Sequence, residues 1–303
     1  MYWETEEKTE VWLDEALVRY EGLHHDVGFM WMHTAVADYR LTGNPESRKR
    51  ALHAANLLAG RFNPTGEFIR AWNLDKTGWM IIDCMMNLSL LFWAEKETGD
   101  IRYRDIACRH ADTALRCLLR PDGSCNHIAV FDPKTGELLE QPAGQGYASG
   151  SSWSRGQAWA VYGFALAFRH TGEVRYLEAA KRAAHYFIAN VVLTDGIALV
   201  DFRAPEEPVQ WDTTASACAA CGLLELAELV PEFEKPLYQK HGAQILKSLE
   251  ARYCNWNEAE DGILQFGTAA YHRTEDTHVP IIYGDYFFVE GMLRLLGKET
   301  FLW

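Results

Sequence analysis

The stretch TGEVRYLEAAKRAAHYFIANVVLTDG, residues 171–196, decides the fold of this chain. Within it Ala180, Ala183, Ala184 and Phe187 recur at the spacing of one face of an α-helix. A Thr-Gly pair opens the stretch and a glycine closes it. The pattern predicts a first helix ended by Thr-Gly, then a polar turn, then a second, alanine-rich helix with one apolar face.

The same unit recurs along the chain. Thr-Gly pairs at three positions each precede an alanine-rich helix: residues 42–43, 98–99 and 171–172. A glycine follows the three threonines by 24, 25 and 25 residues: Gly66, Gly123 and Gly196. A degenerate fourth copy has its turn marked by Pro231 and Pro236 and closes at Gly262. Repeated helical hairpins bury their apolar faces only by stacking, so the chain is predicted to be all-α.

The connections between hairpins are long, whereas the turns inside them are short. The long connections cover residues 67–77, 124–152, 197–210 and 263–280. In parallel-stacked hairpins all of them lie on one rim, and long loops on a rigid scaffold are where function concentrates. We therefore predict one domain over residues 1–303, an (α/α)6 barrel of helical hairpins. Strand-like alternation is rare, with one short candidate at Ile197–Phe202.

The composition is acidic and rich in aromatic residues. The 303 residues carry a formal net charge of −13 and include 11 Trp, 13 Tyr and 14 Phe. Such a charge excludes the basic surface typical of proteins that bind nucleic acid or anionic membranes. To bind an anionic ligand, such a protein would need a local source of positive charge. The N-terminal ends of inner helices around the rim supply partial positive charge.

The chain shows no targeting or membrane signal. Its acidic N-terminus lacks the apolar core of a signal peptide. The longest nearly uncharged stretch, residues 78–94, is too short to span a bilayer and is expected to be a buried helix. The seven cysteines are expected to be buried thiols, and the C-x-x-C at Cys218 and Cys221 lies in a small-residue helix. We expect a cytoplasmic protein without a metal or other cofactor.

The most unusual charge in the chain is Asp83. It lies among isoleucine, methionine and tryptophan in Gly78–Leu88, and the apolar pattern predicts that it lies one turn into an inner helix. An ionised carboxylate in such surroundings is costly unless it is paired or functional, and burial suits general acid–base catalysis. We predict a catalytic Asp83; the alternative is a carboxylate that caps a neighbouring loop.

A second group of candidates opens the next inner helix: Trp153, Arg155, Gln157 and Trp159. Two tryptophans six residues apart, with polar residues between them, are typical of a platform on which a sugar ring stacks. The alternative is packing between helices, with Arg155 paired to an acid.

Further sugar-binding candidates lie on the third long connection and elsewhere on the rim. Arg203 could hold a ligand carboxylate through two hydrogen bonds, or could lie solvated on its loop. Asp212, directly before a helix, is expected to be a structural N-cap. The other candidates for sugar contact are His25, Asp26, Trp72, Ser149, Asp201, Trp211 and His272.

Seven segments together resemble glycoside hydrolase family 88, the unsaturated glucuronyl hydrolases. The rhamnogalacturonyl hydrolases of family 105 are a related family. In chain order these are His25–Phe29, Arg61–Pro64, Gly78–Leu88, Trp153–Trp159, Asp201–Pro205, Ala219–Leu226 and Tyr283–Leu293. Each segment is weak evidence alone, but the ordered set spans residues 24–296 and is specific.

The resemblance implies an (α/α)6 barrel and a hydrolase without a cofactor. The implied substrate is an anionic oligosaccharide that ends in a 4,5-unsaturated uronic acid, as polysaccharide lyases produce. In that family an aspartate protonates the C4=C5 double bond and helps to deliver water to C5, after which the hemiketal opens and expels the rest of the sugar. Asp83 matches one family aspartate associated with this chemistry.

The chain departs from the family pattern at the second aspartate. The family usually has Gly-Tyr-x-Asp-Asp-Ser-x-Trp before the Arg-Gly-Gln-Ala-Trp segment, whereas here Ser149 and Gly150 replace both acids. A serine does not titrate near neutral pH. Either Asp83 acts alone, or the chemistry differs, or another rim group substitutes: His25, Asp132 or Asp201.

The chain also departs from the family in its helix count. About ten or eleven long helices can be read from the sequence, rather than the twelve of six hairpins. The barrel is incomplete, or its first hairpin is abbreviated, or the start of the chain was set downstream.

Two other functions remain open. The missing aspartate and the 11 histidines also fit a sugar epimerase or isomerase on the same barrel, with paired histidines. A catalytically silent sugar-binding paralogue is the third hypothesis. The expected partner is a small oligosaccharide rather than nucleic acid or a membrane, and the sequence also allows a homodimer.

Overall fold

The computed structural model of the chain describes residues 2–298 and Trp303. Contacts between Cα atoms divide the chain into two units. The first comprises Met1–Thr113, Val130–Leu139 and Phe301–Trp303, and the second comprises Ala114–Ala129 and Glu140–Thr300. The prediction of a single domain over residues 1–303 stays a prediction.

Helices make up most of the first unit. They are α1 (Tyr2–Val18), α2 (Val27–Trp31), α3 (Ala37–Thr42), α4 (Pro45–Ala59), α5 (Leu88–Thr98) and α6 (Ile101–Cys117), whose last residues belong to the second unit. A π-helical turn, Met32–Val36, joins α2 to α3, so residues 27–42 form one helical run. Helix α4 packs against α2 and α5. Its predicted apolar stripe is fully buried: Ala51, Ala54, Ala55 and Leu58.

Helices also dominate the second unit. They are α7 (Ser154–Thr171), α8 (Val174–Val191), α9 (Thr213–Leu229), α10 (Lys235–Tyr253) and α11 (Ile282–Leu295). Helix α9 is the centre of this unit because it packs against α7, α10 and α11 and is buried from Thr213 to Ala227. Its small side chains permit the close approach: a Cβ at Gly222 would press on the backbone of Tyr162 in α7.

The Thr-Gly turns are confirmed as the ends of the first helix of each hairpin. Gly43, Gly99 and Gly172 all adopt the left-handed conformation, with φ of 72° to 74°, in which glycine is favoured. Each preceding threonine hydroxyl donates to the carbonyl four residues earlier, at 2.6–2.8 Å. The same oxygen accepts the backbone N–H two residues later, at 3.1–3.2 Å. Each threonine hydroxyl therefore bonds to a carbonyl at the end of the first helix and to a backbone N–H just before the second helix.

The all-α prediction is confirmed. With residues 27–42 counted as one helix, the described residues contain ten helices. The degenerate fourth turn is also confirmed, since α9 ends at Leu229 and α10 begins at Lys235 with Pro236 in its first turn. Within the described residues, each helix is too short or too polar to cross a lipid bilayer.

The prediction that residues 78–94 form one helix is wrong in its first half. Trp79–Ile81 is a short strand, β3, and Ile82–Asn87 is a 3₁₀ helix, so Asp83 lies in that 3₁₀ turn rather than one turn into an α-helix. The Phe131 N–H donates to the Gly78 carbonyl at 2.8 Å, and a Cβ at Gly78 would overlap the Phe131 carbonyl oxygen. Pairing with a distant strand outweighs the local helical period.

Short strands occupy the other connections. They are β1 (Phe62–Asn63), β2 (Phe68–Ile69), β4 (Ile128–Phe131) and β5 (Leu138–Glu140), and the order in the larger sheet is β3-β4-β5. The strand candidate Ile197–Phe202 forms only isolated bridges, Leu199 with Trp211 and Asp201 with Trp153. It is therefore extended backbone rather than a regular strand.

We expect buried His110 in α6 to make the stability of the chain sensitive to acid. Its Nδ1 accepts the Ile69 N–H at 2.9 Å, and burial lowers the His110 pKa from 6.5 to about 3. Between pH 6.5 and about 3, His110 therefore binds a proton in the unfolded chain but stays neutral in the folded chain. The contribution of His110 to the free energy of unfolding is complete above pH 6.5 and is lost as the pH falls to about 3. The loss amounts to about 5 kcal/mol at most.

Urea unfolding of wild type and His110→Gln over that pH range checks this expectation. The variant should lose part of the pH dependence, whereas His53→Gln, at an exposed histidine, should keep it. Equal pH dependence in wild type and His110→Gln would contradict the assignment.

Candidate functional site

The buried guanidinium of Arg61 organises the loops around the predicted catalytic residue of the first unit. It donates to the carbonyl oxygens of Leu23 at 3.0 Å, Ala71 at 3.1 Å and Trp72 at 2.9 Å. It also donates to the Arg70 carbonyl at 3.0 Å and to the Asn73 side chain at 2.9 Å. These bonds use all five N–H donors of the side chain. Burial lowers the Arg61 pKa to about 10, helped by nearby Arg70.

His25, Asp26 and Asp83 lie together in the first unit. His25 is buried, and its Nδ1 lies 3.5 Å from a carboxylate oxygen of Asp26, whose side chain is 46% exposed. Burial lowers the His25 pKa, and the Asp26 and Asp83 carboxylates oppose this shift without overcoming it. The same two carboxylates act on the Cys84 thiol, whose pKa is raised well above its usual value, mainly by burial. Two carboxylates therefore border one neutral imidazole.

Asn87 links the 3₁₀ turn of Asp83 to the start of α2. Its side-chain oxygen accepts the Phe29 N–H at 2.6 Å, and its amide nitrogen contacts His25 Nδ1 at 3.3 Å and the Asp83 carbonyl at 3.4 Å. The backbones come so close that a Cβ at Gly28 would overlap Asn87. Glycine at position 28 is thus required by this approach.

Trp72 is half-buried beside a second aromatic ring. Its ring meets Trp79 edge-on at 5.7 Å between centroids. The Lys76 ammonium lies 5.1 Å from the Trp72 ring and 4.8 Å from the Trp79 ring. A flat ring next to a positive charge is a combination that suits an acidic sugar.

In the second unit, the Asp201 carboxylate holds the loop that contains Ser149. Although Asp201 is only 2% exposed, it accepts four hydrogen bonds. The donors are the N–H groups of Tyr147, Ser152 and Arg203 and the hydroxyl of Ser151, at 2.7–3.0 Å. Because these bonds fill its acceptor sites, Asp201 positions the loop, on which Ser149 is exposed.

Arg203 strengthens the same loop from the other side. Its guanidinium donates to the Gly150 carbonyl at 3.1 Å, the Ser124 hydroxyl at 3.0 Å and the Tyr186 hydroxyl at 3.2 Å, and it pairs with Asp122. Its two-pronged contact to a ligand carboxylate stays a prediction.

Arg155 is fully buried and is paired with an acid, as the packing alternative expected. It donates to the carbonyl oxygens of Thr268 at 2.9 Å and Ala269 at 2.6 Å. Its Nε lies 3.7 Å from Asp212, which caps α9 by accepting the Ala215 N–H, so the N-cap prediction is confirmed. Burial raises the Asp212 pKa, whereas Arg155 and the capping N–H groups oppose the shift. The charge of Arg155 is therefore balanced by Asp212 and by backbone carbonyls inside this unit.

The remaining candidates of the second unit are mostly packed or hydrogen-bonded. Gln157 is buried and donates to the carbonyls of Gly123 and Ala183, at 2.7 and 3.0 Å. Trp153 is 3% exposed and lies against His127, and Trp159 is 7% exposed and lies against Tyr283 and Phe287. The Trp211 N–H donates to His278, and exposed His272 contacts the Tyr147 carbonyl. Their contact with a sugar stays a prediction.

The sequence predicted the three residues of the first-unit cluster separately, not as a cluster, and it missed two of their supports. His25, Asp26 and Asp83 were all named as candidates, whereas Arg61 and Asn87 were not. Arg61 lies in one of the segments that carry the family resemblance, and this position is the feature of the sequence that could have identified it as a site residue. Of the proposed substitute acids, Asp132 caps a turn by accepting the N–H groups of Lys134 and Thr135.

Comparison with known proteins assigns the chain to a family. The sequence model of Glycosyl Hydrolase Family 88 matches residues 5–202. The unsaturated glucuronyl hydrolase of Bacillus sp. (strain GL1) is 38% identical over 298 residues, which cover 95% of this chain and 79% of that protein. The chain therefore belongs to glycosyl hydrolase family 88 and is a glycoside hydrolase.

Two further comparisons agree with this family. The unsaturated chondroitin disaccharide hydrolase of Streptococcus pyogenes serotype M1 is 35% identical over 288 residues, covering 92% of this chain and 72% of that protein. A solved structure of a UGL variant with dGlcA-Glc-Rha-Glc matches with a TM-score of 0.92 and 38% identity, covering 97% of this chain and 80% of that one. Unsaturated glucuronyl hydrolase has an α/α-barrel fold, so the predicted fold class is confirmed.

Replacing Arg61 by lysine should destabilise the first unit. A lysine keeps the charge but has three N–H donors where arginine has five, so at least two of the five bonds to buried acceptors are lost. We expect a loss of about 3 kcal/mol in the free energy of unfolding, measured with urea. Arg102→Lys, at an exposed arginine, is the control and should change little. Equal losses in the two variants would show that the five hydrogen bonds are not needed.

Replacing Asp201 by asparagine should loosen the loop over residues 146–152. The amide nitrogen cannot accept, so at least one backbone N–H of Tyr147 or Ser152 loses its partner. We expect faster hydrogen exchange at those two amides and a loss of about 2 kcal/mol in stability. Asp261→Asn, at an exposed aspartate, is the control. Unchanged exchange at both amides would refute the positioning role.

Proposed function

We propose that this chain hydrolyses oligosaccharides whose non-reducing end is a 4,5-unsaturated uronic acid. The observation that carries the proposal is the pair of carboxylates, Asp26 and Asp83, that borders His25 in the first unit. The relatives named unsaturated glucuronyl hydrolase and unsaturated chondroitin disaccharide hydrolase support this substrate class.

Asp83 is the group that we assign to protonation of the double bond. Its proton moves to C4, and the π electrons of C4=C5 form the new C–H bond. Positive charge then develops at C5, beside the ring oxygen. The position of Asp83 in a short 3₁₀ turn, with Asn87 contacting its carbonyl, supports this role because a general acid must be held in place.

Asp26 is the group that we assign to the attacking water. The water oxygen adds to C5, and a water proton passes to the Asp26 carboxylate. The half-exposed side chain of Asp26 supports this role, since water reaches it while its backbone is fixed by its place in the loop that Arg61 holds. The C5–O5 bond of the hemiketal then breaks, which gives a ketone at C5 and a hydroxyl on C1. The C1 hydroxyl becomes an aldehyde as the bond from C1 to the rest of the sugar breaks and that part leaves as an alcohol. The proton gained by Asp26 is released to solvent, and Asp83 takes up a proton from solvent.

This assignment replaces the second acid that the sequence lacks at Ser149 and Gly150. Both carboxylates come from the first unit, so the chemistry does not require an acid in the loop over residues 146–152. Trp72 and Lys76 support the acidic-sugar part of the proposal, since the ring offers a stacking face and the ammonium offers a partner for the uronate.

Two expectations about the protein in the cell stay predictions. A cytoplasmic location is supported by the seven free cysteines, which suit a reducing compartment. A homodimer is the second expectation.

Asparagine at either carboxylate should abolish most of the turnover. Asp83→Asn removes the proton donor and Asp26→Asn removes the acceptor, so each should lower kcat by about a hundredfold or more. The assay follows loss of the ultraviolet absorbance of the conjugated double bond on lyase-generated disaccharides. Asp132→Asn, at the turn-capping aspartate, is the matched control and should keep turnover.

Two outcomes would count against this proposal. Full turnover by Asp26→Asn would remove Asp26 from the reaction and return the second acid to an unassigned group. No absorbance loss by wild type on chondroitin, heparin, pectin, ulvan and xanthan fragments would refute hydrolysis and favour a silent sugar-binding protein.

A further inference from the structure

Three ligand-type side chains meet at consecutive positions in the first unit: His24, His25 and Asp26. The Nδ1 atoms of the two histidines lie 3.4 and 3.5 Å from the two carboxylate oxygens of Asp26. One ligand atom from each residue lies within 4.8 Å of the other two. The arrangement therefore gathers two imidazole nitrogens and one carboxylate on a single short loop.

Hydrogen bonds show that both histidine Nδ1 atoms carry lone pairs. His24 Nδ1 accepts the Asp26 backbone N–H at 3.4 Å, so it holds no proton of its own. The Asn87 side-chain oxygen accepts the Phe29 N–H, which turns the Asn87 amide nitrogen, a donor, towards His25 Nδ1 at 3.3 Å. His25 Nδ1 is consequently an acceptor as well.

The single lone pair of each Nδ1 is engaged only by a long hydrogen bond, of 3.4 Å for His24 and 3.3 Å for His25. Each Nδ1 also lies 3.4–3.5 Å from an oxygen of the Asp26 carboxylate, and a cation that displaced these long bonds would attract both atoms. A zinc ion bound at 2.0–2.2 Å in tetrahedral geometry sets its ligand atoms roughly 3.4 Å apart. The two nitrogen–oxygen separations of 3.4 and 3.5 Å, one to each oxygen of the Asp26 carboxylate, match that spacing.

The loop is held rigidly enough to be a preformed site. Arg61 and Asn73 both donate to the Leu23 carbonyl at 3.0 Å, and the His25 N–H donates to the Ala71 carbonyl at 3.2 Å. The His24 ring is 42% exposed, so it can rotate to complete the ligand set and an ion can enter from solvent.

We propose that His24, His25 and Asp26 bind a divalent transition-metal ion, with water in the remaining coordination positions. Two imidazoles and one carboxylate form a ligand set suited to zinc and its neighbours. The ion would occupy the carboxylate that the proposed hydrolysis needs, so the metal-bound form is inactive. This second statement rests on the proposed function; the binding site itself does not.

Zinc binding to the full chain, freed of metal with a chelator, tests the site. Titration against a chromophoric chelator should give one tight zinc equivalent in wild type. His24→Ala should weaken that binding by about tenfold or more, because it removes one of three protein ligands. His53→Ala, at an exposed histidine, is the control and should bind as wild type does. Equal zinc affinity in wild type and His24→Ala would overturn the proposal.

Cobalt substitution separates this site from the seven cysteines. A nitrogen–oxygen site should give visible d–d bands without the near-ultraviolet charge-transfer band of cobalt–thiolate bonds. A thiolate band that persists in His24→Ala would place the metal on cysteine and overturn the proposal. Both measurements are independent of turnover, so they stand whether or not the hydrolase assay succeeds.

Inhibition tests the link to the reaction. Zinc should abolish wild-type turnover, and the zinc concentration for half inhibition should rise in His24→Ala by the same factor as the zinc dissociation constant. Undiminished wild-type turnover at saturating zinc would overturn the inhibitory role.

Discussion

The threonine–glycine turn is the constraint on which the rest of the fold depends. The glycine supplies a left-handed backbone at Gly43, Gly99 and Gly172, and the preceding threonine hydroxyl bonds to both helices of the hairpin. Because the reversal is complete within a few residues, the second helix of each of these hairpins begins three residues after the first one ends. The long connections at the other helix ends are not constrained by these turns, and they carry several of the candidate residues, among them Trp72, Asp201 and Arg203.

The buried guanidinium of Arg61 holds the loops of the first unit in place through hydrogen bonds. Loops lack regular hydrogen bonding, so their inward carbonyls need donors from somewhere. Arg61 supplies five N–H groups in one plane and joins the loop of His25 and Asp26 to that of Trp72. Removing a charge of this kind from water is costly, and the density of acceptors around it offsets the cost.

The sequence predicted those features of the fold that depend on residues close together in the chain. The helical period and the Thr-Gly turns located the hairpins, and Asp212 was foreseen as a cap because capping acts within one turn. The stretch of Asp83 was misread because strand β3 is stabilised by Phe131, fifty residues away, which no local period reveals. The candidate site was half predicted. Asp83 stood out by its apolar surroundings and Asp26 was named as a sugar-contact candidate, whereas the support by Arg61 and Asn87 depends on loops brought together by folding.

Hydrogen-bond occupancy separates polar residues that hold the fold from those that can meet a ligand. In the second unit Asp201 accepts four donors, and Arg155 is fully buried against backbone carbonyls and Asp212, so both serve the interior. Asp26 is half-exposed, and its two carboxylate oxygens lie 3.4 and 3.5 Å from the Nδ1 atoms of His24 and His25. Water or a cation can therefore reach this carboxylate, whereas the acceptor sites of Asp201 are filled. That difference in access is the structural basis of the role that we propose for Asp26.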